Sequence, residues 1–161
     1  MEFKPGSIDG VICRPLRKHH DARGWLCELF RDDDLPAELQ PVMAYVSETQ
    51  AGVTRGPHEH VAQSDYFGFF GPGNFKVIAW DNRPHSPTYR RQWSAVVGAD
   101  KPMLILIPPG VVHAYTNVSA VAGLVFNCPN RLYKGPGRKE PVDELRHEDD
   151  PVSPFRVDSA M

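Results

Sequence analysis

The chain reads as an all-β protein, a barrel or sandwich of short strands. Glycine (13) and proline (16) punctuate its 161 residues every several positions. The runs between them are short and rich in β-branched and aromatic residues, as in sheets closed by tight turns. There is no heptad pattern, no internal repeat and no composition break marking a second domain, and the length suits one domain with a substantial core.

Taken in order, strands are expected over 11–14, 25–30, 42–48, 66–70, 75–80, 89–97, 103–107, 111–116 and 121–127, each an apolar or alternating run ended by turn residues. Gly71-Pro72-Gly73 and Pro108-Pro109-Gly110 supply turns between consecutive strands. The polar break at 32–41 is expected to hold one helical turn. From Pro129 the composition shifts to Lys, Arg, Gly and Pro, then to acids. Pro141 and the acids after it suit a short helix over 142–148. The charge run over 140–150 reads as solvated surface.

A net charge of -2 with 24% charged residues gives no reason to expect nucleic acid or an anionic membrane as partner. No apolar run is long enough for a span, and the start lacks a signal-peptide pattern, so a cytoplasmic location is expected. Cys13, Cys27 and Cys128 are odd in number and widely spaced, and are expected to be reduced core residues.

Chemistry concentrates in two segments. The first is Gly52-x5-His58-x-His60-x4-Asp65 and the second Pro108-x-Gly110-x2-His113-x3-Asn117. Alternate side chains of an extended strand share a face, so His58 and His60 can point into one cavity. Asp65 and a third imidazole, His113, would complete a nitrogen and oxygen set. Such a set suits a divalent transition metal (Fe, Mn, Ni, Co or Zn) without selecting among them, or a cluster of acid–base groups. No organic cofactor is expected. His19, His20, His85 and His147 read as surface residues, and the Asp81–Arg83 pair as a structural brace for the turn leading to Ser86.

These two segments resemble the paired motifs of the cupin superfamily, with Asp65 where Glu is usual. The resemblance implies a jelly-roll β-barrel (a double-stranded β-helix) with a short helical or irregular C-terminal tail. A narrower one runs from residue 8 to about 135. It is carried by Ile8-x-Gly10-Val11, Asp21-Ala22-Arg23-Gly24-Trp25, Glu28-Leu29-Phe30, Arg55-Gly56-Pro57-His58, Trp80-Asp81-Asn82-Arg83, Ser86-Pro87-Thr88-Tyr89 and Ile107-Pro108-Pro109-Gly110. In order and spacing these blocks resemble the dTDP-4-dehydrorhamnose 3,5-epimerase family. That implies proton removal beside a sugar ketone, with His58 as base, His113 beside it and Arg55 stabilising the enolate. It also implies that Arg23 and Glu28 contact the nucleotide across a homodimer and that Tyr133 stacks on the base. Residues 1–50 would then hold strands in dimer contact, 51–128 the barrel core and 129–161 the tail.

Departures are as informative. The family's acid tyrosine falls on Phe126, which cannot donate a proton. Its active-site lysine falls on Asp65, its sugar-pocket Gln and Asn fall on Met43 and Tyr45, and the carboxylate that supports the base has no visible counterpart. His60 is an addition. Three readings remain: a nucleotide-sugar epimerase or isomerase whose acid is Tyr115, Tyr45 or Tyr66; a metal-dependent enzyme on a non-nucleotide small molecule; or a non-catalytic binding module.

Overall fold

The computed structural model describes residues 2–157; the last four residues of the expected tail lie outside them. The strands, in chain order, are β1 (Lys4–Pro5), β2 (Ile12–Pro15), β3 (His19–Asp21), β4 (Gly24–Leu26), β5 (Tyr45–Thr49), β6 (Thr54–Glu59), β7 (Asp65–Phe69), β8 (Asn74–Asp81), β9 (Arg91–Gly98), β10 (Met103–Ile107), β11 (Val111–Asn117), β12 (Gly123–Asn127) and β13 (Leu145–Arg146). One sheet runs β1-β9-β8-β11-β6-β13, the facing sheet runs β2-β10-β7-β12-β5, and β3-β4 make a separate hairpin.

Alternation along each strand sorts side chains into layers. Phe67, Phe69, Phe75, Val77, Ile105, Val111 and Val125 point inward and form the core between the sheets. Leu104, Leu106, Tyr66 and Cys128 point outward from the second sheet, under Leu16, Leu29, Leu35 and Leu39 of the N-terminal segment. Ile78, Trp80, Val112 and Ala114 point outward from the first sheet, under Phe3 and Phe155. Fully burying a large apolar side chain is worth about 1.5–3 kcal/mol, so all three layers hold the sheets in register. Asp81, with no exposed surface, takes Arg83 Nε at 2.8 Å, Ser86 Oγ at 2.6 Å and Thr88 Oγ1 at 2.5 Å, which is the structural brace expected of that turn.

Several expectations fail for identifiable reasons. No helix forms over 142–148, because β13 adds to the edge of β6 and satisfies its backbone there. The segment expected as one strand over 25–30 stops at Leu26, where β4 has paired with β3 across the Asp21–Gly24 turn. Two 3-10 turns, Asp32–Asp34 and Ala37–Leu39, replace the single turn expected over 32–41. Of the cysteines only Cys128 is buried; Cys13 is exposed on the edge strand β2 and Cys27 is half-buried. His147 is not a free surface residue: its Nε2 lies 3.0 Å from Glu59 and its ring packs on Phe155.

Candidate active site

The cavity lies at the end of the barrel where β6, β7, β11 and β12 bring their inward positions together. His113 shares the inner face of β11 with Val111 and Tyr115. Antiparallel pairing sets His113 against His58 and Tyr115 against Arg55, with a register shift between them. The extra residue on β6 lets Arg55 and His58 both face inward despite their odd spacing. Gly56 takes up that irregularity at φ 83°, and a Cβ there would sit 2.6 Å from the His113 carbonyl oxygen. Asp65 opens β7 on the same face as Phe67 and Phe69, and His60 follows one residue after β6 ends.

The imidazole rings of His58 and His113 are 4.5 Å apart, centre to centre, and those of His58 and His60 5.9 Å. Asp65 Oδ2 lies 3.0 Å from His60 Nε2 and 3.3 Å from His113 Nε2. Its Oδ1 accepts from Gln63 Nε2 at 2.9 Å and Asn127 Nδ2 at 2.8 Å. His113 Nδ1 lies 3.1 Å from the Val111 carbonyl, and His60 Nδ1 meets the Asp143 carbonyl. With each Nδ1 facing an acceptor, both Nε2 atoms turn to the carboxylate. Asp65 Oδ2 and His113 Nε2 are nevertheless buried without an aligned hydrogen bond among the described residues. One donor atom from each of His58, His60, Asp65 and His113 falls within 4.8 Å of the others, so the group could hold a metal ion.

His58 and His60 are shifted in opposite directions. Burial, reinforced by His113 and His60 against the pull of Asp65, pushes His58 down to about 2, so its imidazole is neutral at working pH. Burial would also depress His60, but the close Asp65 carboxylate and the Asp143 carbonyl overcome it and raise His60 to about 9. Burial would raise Asp65, yet the facing His113 and His60 hold it well below the usual carboxylate range.

The tail is part of the site. The Asp143 carboxylate accepts from the N–H groups of Val61, Ala62 and Gln63 at 2.8, 3.0 and 2.8 Å, capping the loop that carries His60. Glu144 and Glu148 each place a carboxylate oxygen within 4.8 Å of a His58 ring nitrogen. Asp143 and Glu144 of the charge run over 140–150 thus fold onto the cavity, while Glu140, Glu148, Asp149 and Asp150 stay exposed as expected of a solvated surface. Sequence reasoning missed Asp143, Gln63 and Asn127. The Gln63-x-Asp65 spacing was the one available signal, since alternate strand residues share a face.

Other expected residues distribute unevenly. Tyr45, Arg55 and Tyr133 line the cleft, which encloses about 1660 Å³, with Arg131, Lys134 and Arg138 along its rim. Arg55 donates to Thr49 Oγ1 at 2.9 Å and to the Glu48 carbonyl at 2.7 Å. Arg23 and Glu28 lie outside the cleft of their own chain, Arg23 paired with Asp21 at 2.6 Å and Glu28 lying 3.7 Å from Arg31. Tyr66 packs in the outer layer, which removes it as an acid. Phe126 turns away from the cleft onto Phe70, with ring centres 5.2 Å apart, and the inward neighbour on its strand is Asn127.

Residues 5–146 match the family described as dTDP-4-dehydrorhamnose 3,5-epimerase. The spore coat polysaccharide biosynthesis protein SpsL of Bacillus subtilis is 40% identical over 108 residues, covering 67% of this chain and 70% of that protein. The probable low-salt glycan biosynthesis epimerase Agl13 of Haloferax volcanii is 34% identical over 128 residues, 79% of this chain and 81% of that protein. A dTDP sugar isomerase structure from Desulfovibrio desulfuricans superposes with a TM-score of 0.78 at 26% identity, covering 92% of this chain and 91% of that one. ChmJ, a 3'-monoepimerase from Streptomyces bikiniensis solved with dTDP-quinovose, shares the fold with a TM-score of 0.73 at 22% identity, covering 99% of this chain and 84% of that one. The barrel is a cupin.

Proposed function

The chain belongs to the dTDP-4-dehydrorhamnose 3,5-epimerase family, and from that premise we propose that it inverts a carbon beside the ketone of a dTDP-4-keto-6-deoxyhexose. The ketone acidifies its neighbouring C–H. A base takes that proton, an enolate forms, and a proton returns to the other face. One observation carries the assignment of the base. His58 alone of the three imidazoles lines the cleft with neither nitrogen committed to Asp65 or a main-chain carbonyl. Arg55, on the same wall, supplies positive charge where enolate charge develops, and His113 packs beside His58 with its own nitrogens directed at Asp65 and the Val111 carbonyl.

The basic rim of Arg131, Lys134 and Arg138 suits a diphosphate, and Tyr133, 52% exposed, offers a face for the base. Arg23 and Glu28 serve the nucleotide from a second copy. The hairpin that carries Arg23 also exposes Trp25 and Leu26, apolar surface suited to a homodimer contact through residues 1–50. The chain reads as a single cupin unit whose barrel is mostly residues 51–128, completed by β2 and β5 from the N-terminal region, with 129–157 as the tail over the cleft. Among the described residues no helix is long and apolar enough to cross a membrane; the three unpaired cysteines suit the cytoplasm.

A second reading rests on the convergence of ligand-type atoms, two of which, Asp65 Oδ2 and His113 Nε2, are buried without a hydrogen-bond partner among the described residues. Asp65 Oδ2, His60 Nε2 and His113 Nε2 converge, and each imidazole is oriented by a main-chain carbonyl on its other nitrogen, the outer support that metal-bearing histidines use. A divalent transition metal would be held by these three with His58 completing the set, and would polarise a substrate carbonyl. Elemental analysis of protein purified without an affinity tag separates the readings. Close to one metal per chain, lost in His60→Ala, supports the second; metal-free protein of full activity ends it.

For the first, the protein is incubated in D2O with dTDP-4-keto-6-deoxyglucose. NMR is expected to show deuterium entering C3 or C5 and an inverted product. Absence of both exchange and thymidine nucleotide binding would exclude a nucleotide-sugar enzyme, and binding without exchange would leave a non-catalytic module.

A further inference from the structure

Inversion needs a second group, one that returns a proton to the face the base did not touch. From the side chains around the cleft we infer that Tyr45 is this acid, an assignment that rests on the epimerase reading above. Tyr45 and Ser47 alternate on the inner face of β5, where Ser47 Oγ meets Tyr115 Oη at 3.3 Å. Tyr45 lies opposite Asn127 in the pairing of β5 with β12, and the Asn127 amide donates to Tyr45 Oη at 2.9 Å. The same amide nitrogen donates to Asp65 Oδ1 at 2.8 Å, while Asn127 Oδ1 accepts the Tyr66 N–H at 3.0 Å. That acceptor bond fixes which end of the amide faces the cleft. Tyr45 Oη is therefore an acceptor toward Asn127, and its own hydrogen is left for whatever occupies the cleft. Burial and the Asp65 charge raise its pKa, so the phenol stays protonated at neutral pH.

The alternatives are poorer donors. Tyr115 hangs from β11, the strand paired with the His58 strand, so it addresses the cleft from the same wall as the base. It is 5% exposed and ringed by Phe67, Phe69 and Phe75 at 5.6–5.7 Å between ring centres. Tyr66 is outside the barrel and Tyr133 stands at the rim. Tyr45 belongs to the other sheet, so a sugar ring in the cleft can have His58 on one side and the phenol on another. Both line the same cavity.

The step balances with solvent alone. His58 accepts the C–H proton and the bonding electrons move into the ketone, giving an enolate. The enolate carbon takes the Tyr45 hydroxyl proton as the ketone re-forms, leaving a phenolate. Solvent then reprotonates the phenolate and removes the proton from His58.

The test compares Tyr45→Phe and Tyr115→Phe with the unaltered protein in D2O, following deuterium incorporation and inverted product separately by NMR. For Tyr45→Phe, inverted product is expected to fall about 10²–10⁴-fold while His58-dependent exchange at the same carbon stays within a few-fold. Tyr115→Phe is expected to lose far less product. Product at the unaltered rate in Tyr45→Phe, parallel loss of exchange and product, or the reverse order of the two variants overturns the assignment but leaves the epimerase reading standing. No exchange by the unaltered protein overturns both. If Tyr45→Phe fails a thermal-unfolding check, fluorotyrosine at position 45 replaces it. The more acidic phenol is expected to move the alkaline limb of the product-formation profile to lower pH, and an unmoved limb overturns the assignment.

Discussion

Replacing Asp65 by Asn tests the electrostatics of the site most sharply, because the shape is kept while the charge is removed. In the native site His60 is raised from an ordinary 6.5 to about 9, its side chain 11% exposed and its Nε2 3.0 Å from the carboxylate. A folded-state value above the unfolded one means that folding favours the protonated ring. That contribution is fully present below pH 6.5 and is lost as pH rises through about 9. At about 1.36 kcal/mol per unit the loss is about 3 kcal/mol across this window. In Asp65→Asn the amide cannot hold the ring's charge, burial favours neutral His60, and the loss should disappear. Urea unfolding of both proteins after EDTA dialysis, at intervals from pH 6.5 to 9.5, measures the difference between the two slopes. Parallel stability profiles would refute the His60–Asp65 pairing as described.

Two further changes probe how the site is held. Gly56→Ala forces a Cβ at φ 83° to within 2.6 Å of the His113 carbonyl oxygen. It should cost about 1–3 kcal/mol and lower activity with it, read by thermal unfolding and product formation; a silent change would mean the β6 irregularity does not aim His58. Asp143→Ala strands three N–H groups at the rim and should cost about 1–3 kcal/mol, water replacing part of the loss. Limited proteolysis should then cut near 139–148 while the barrel resists, and an unchanged digestion pattern would count against the tail as a clamp.

Much of this was legible in the sequence because it is local. Met103–Ile107 is an unbroken apolar run between turn residues and forms β10 over the expected span. The His58-x-His60 and Gly110-x2-His113 spacings carry the cluster because strand alternation and one turn fix where those side chains go. What escaped depends on contacts between distant segments. Helix propensity over 142–148 lost to pairing with β6. His147 meets Glu59 across 88 residues of chain, and Asn127 meets Asp65 across 62. Phe126 stands where the family pattern has its acid, but the strand turns its ring outward onto Phe70, and a phenol that lines the cleft, Tyr45, comes from the neighbouring strand. Arg55 is aimed by a register shift that no periodicity announces.

His58 as the base that removes a proton beside a sugar ketone is open to a single kinetic comparison. The most direct measurement is the rate of deuterium entry into dTDP-4-keto-6-deoxyglucose in D2O, compared between the unaltered protein and a folded His58→Asn variant. Exchange is expected from the former and a loss of about 10²–10⁴-fold in the latter. Exchange at an equal rate in both would contradict it.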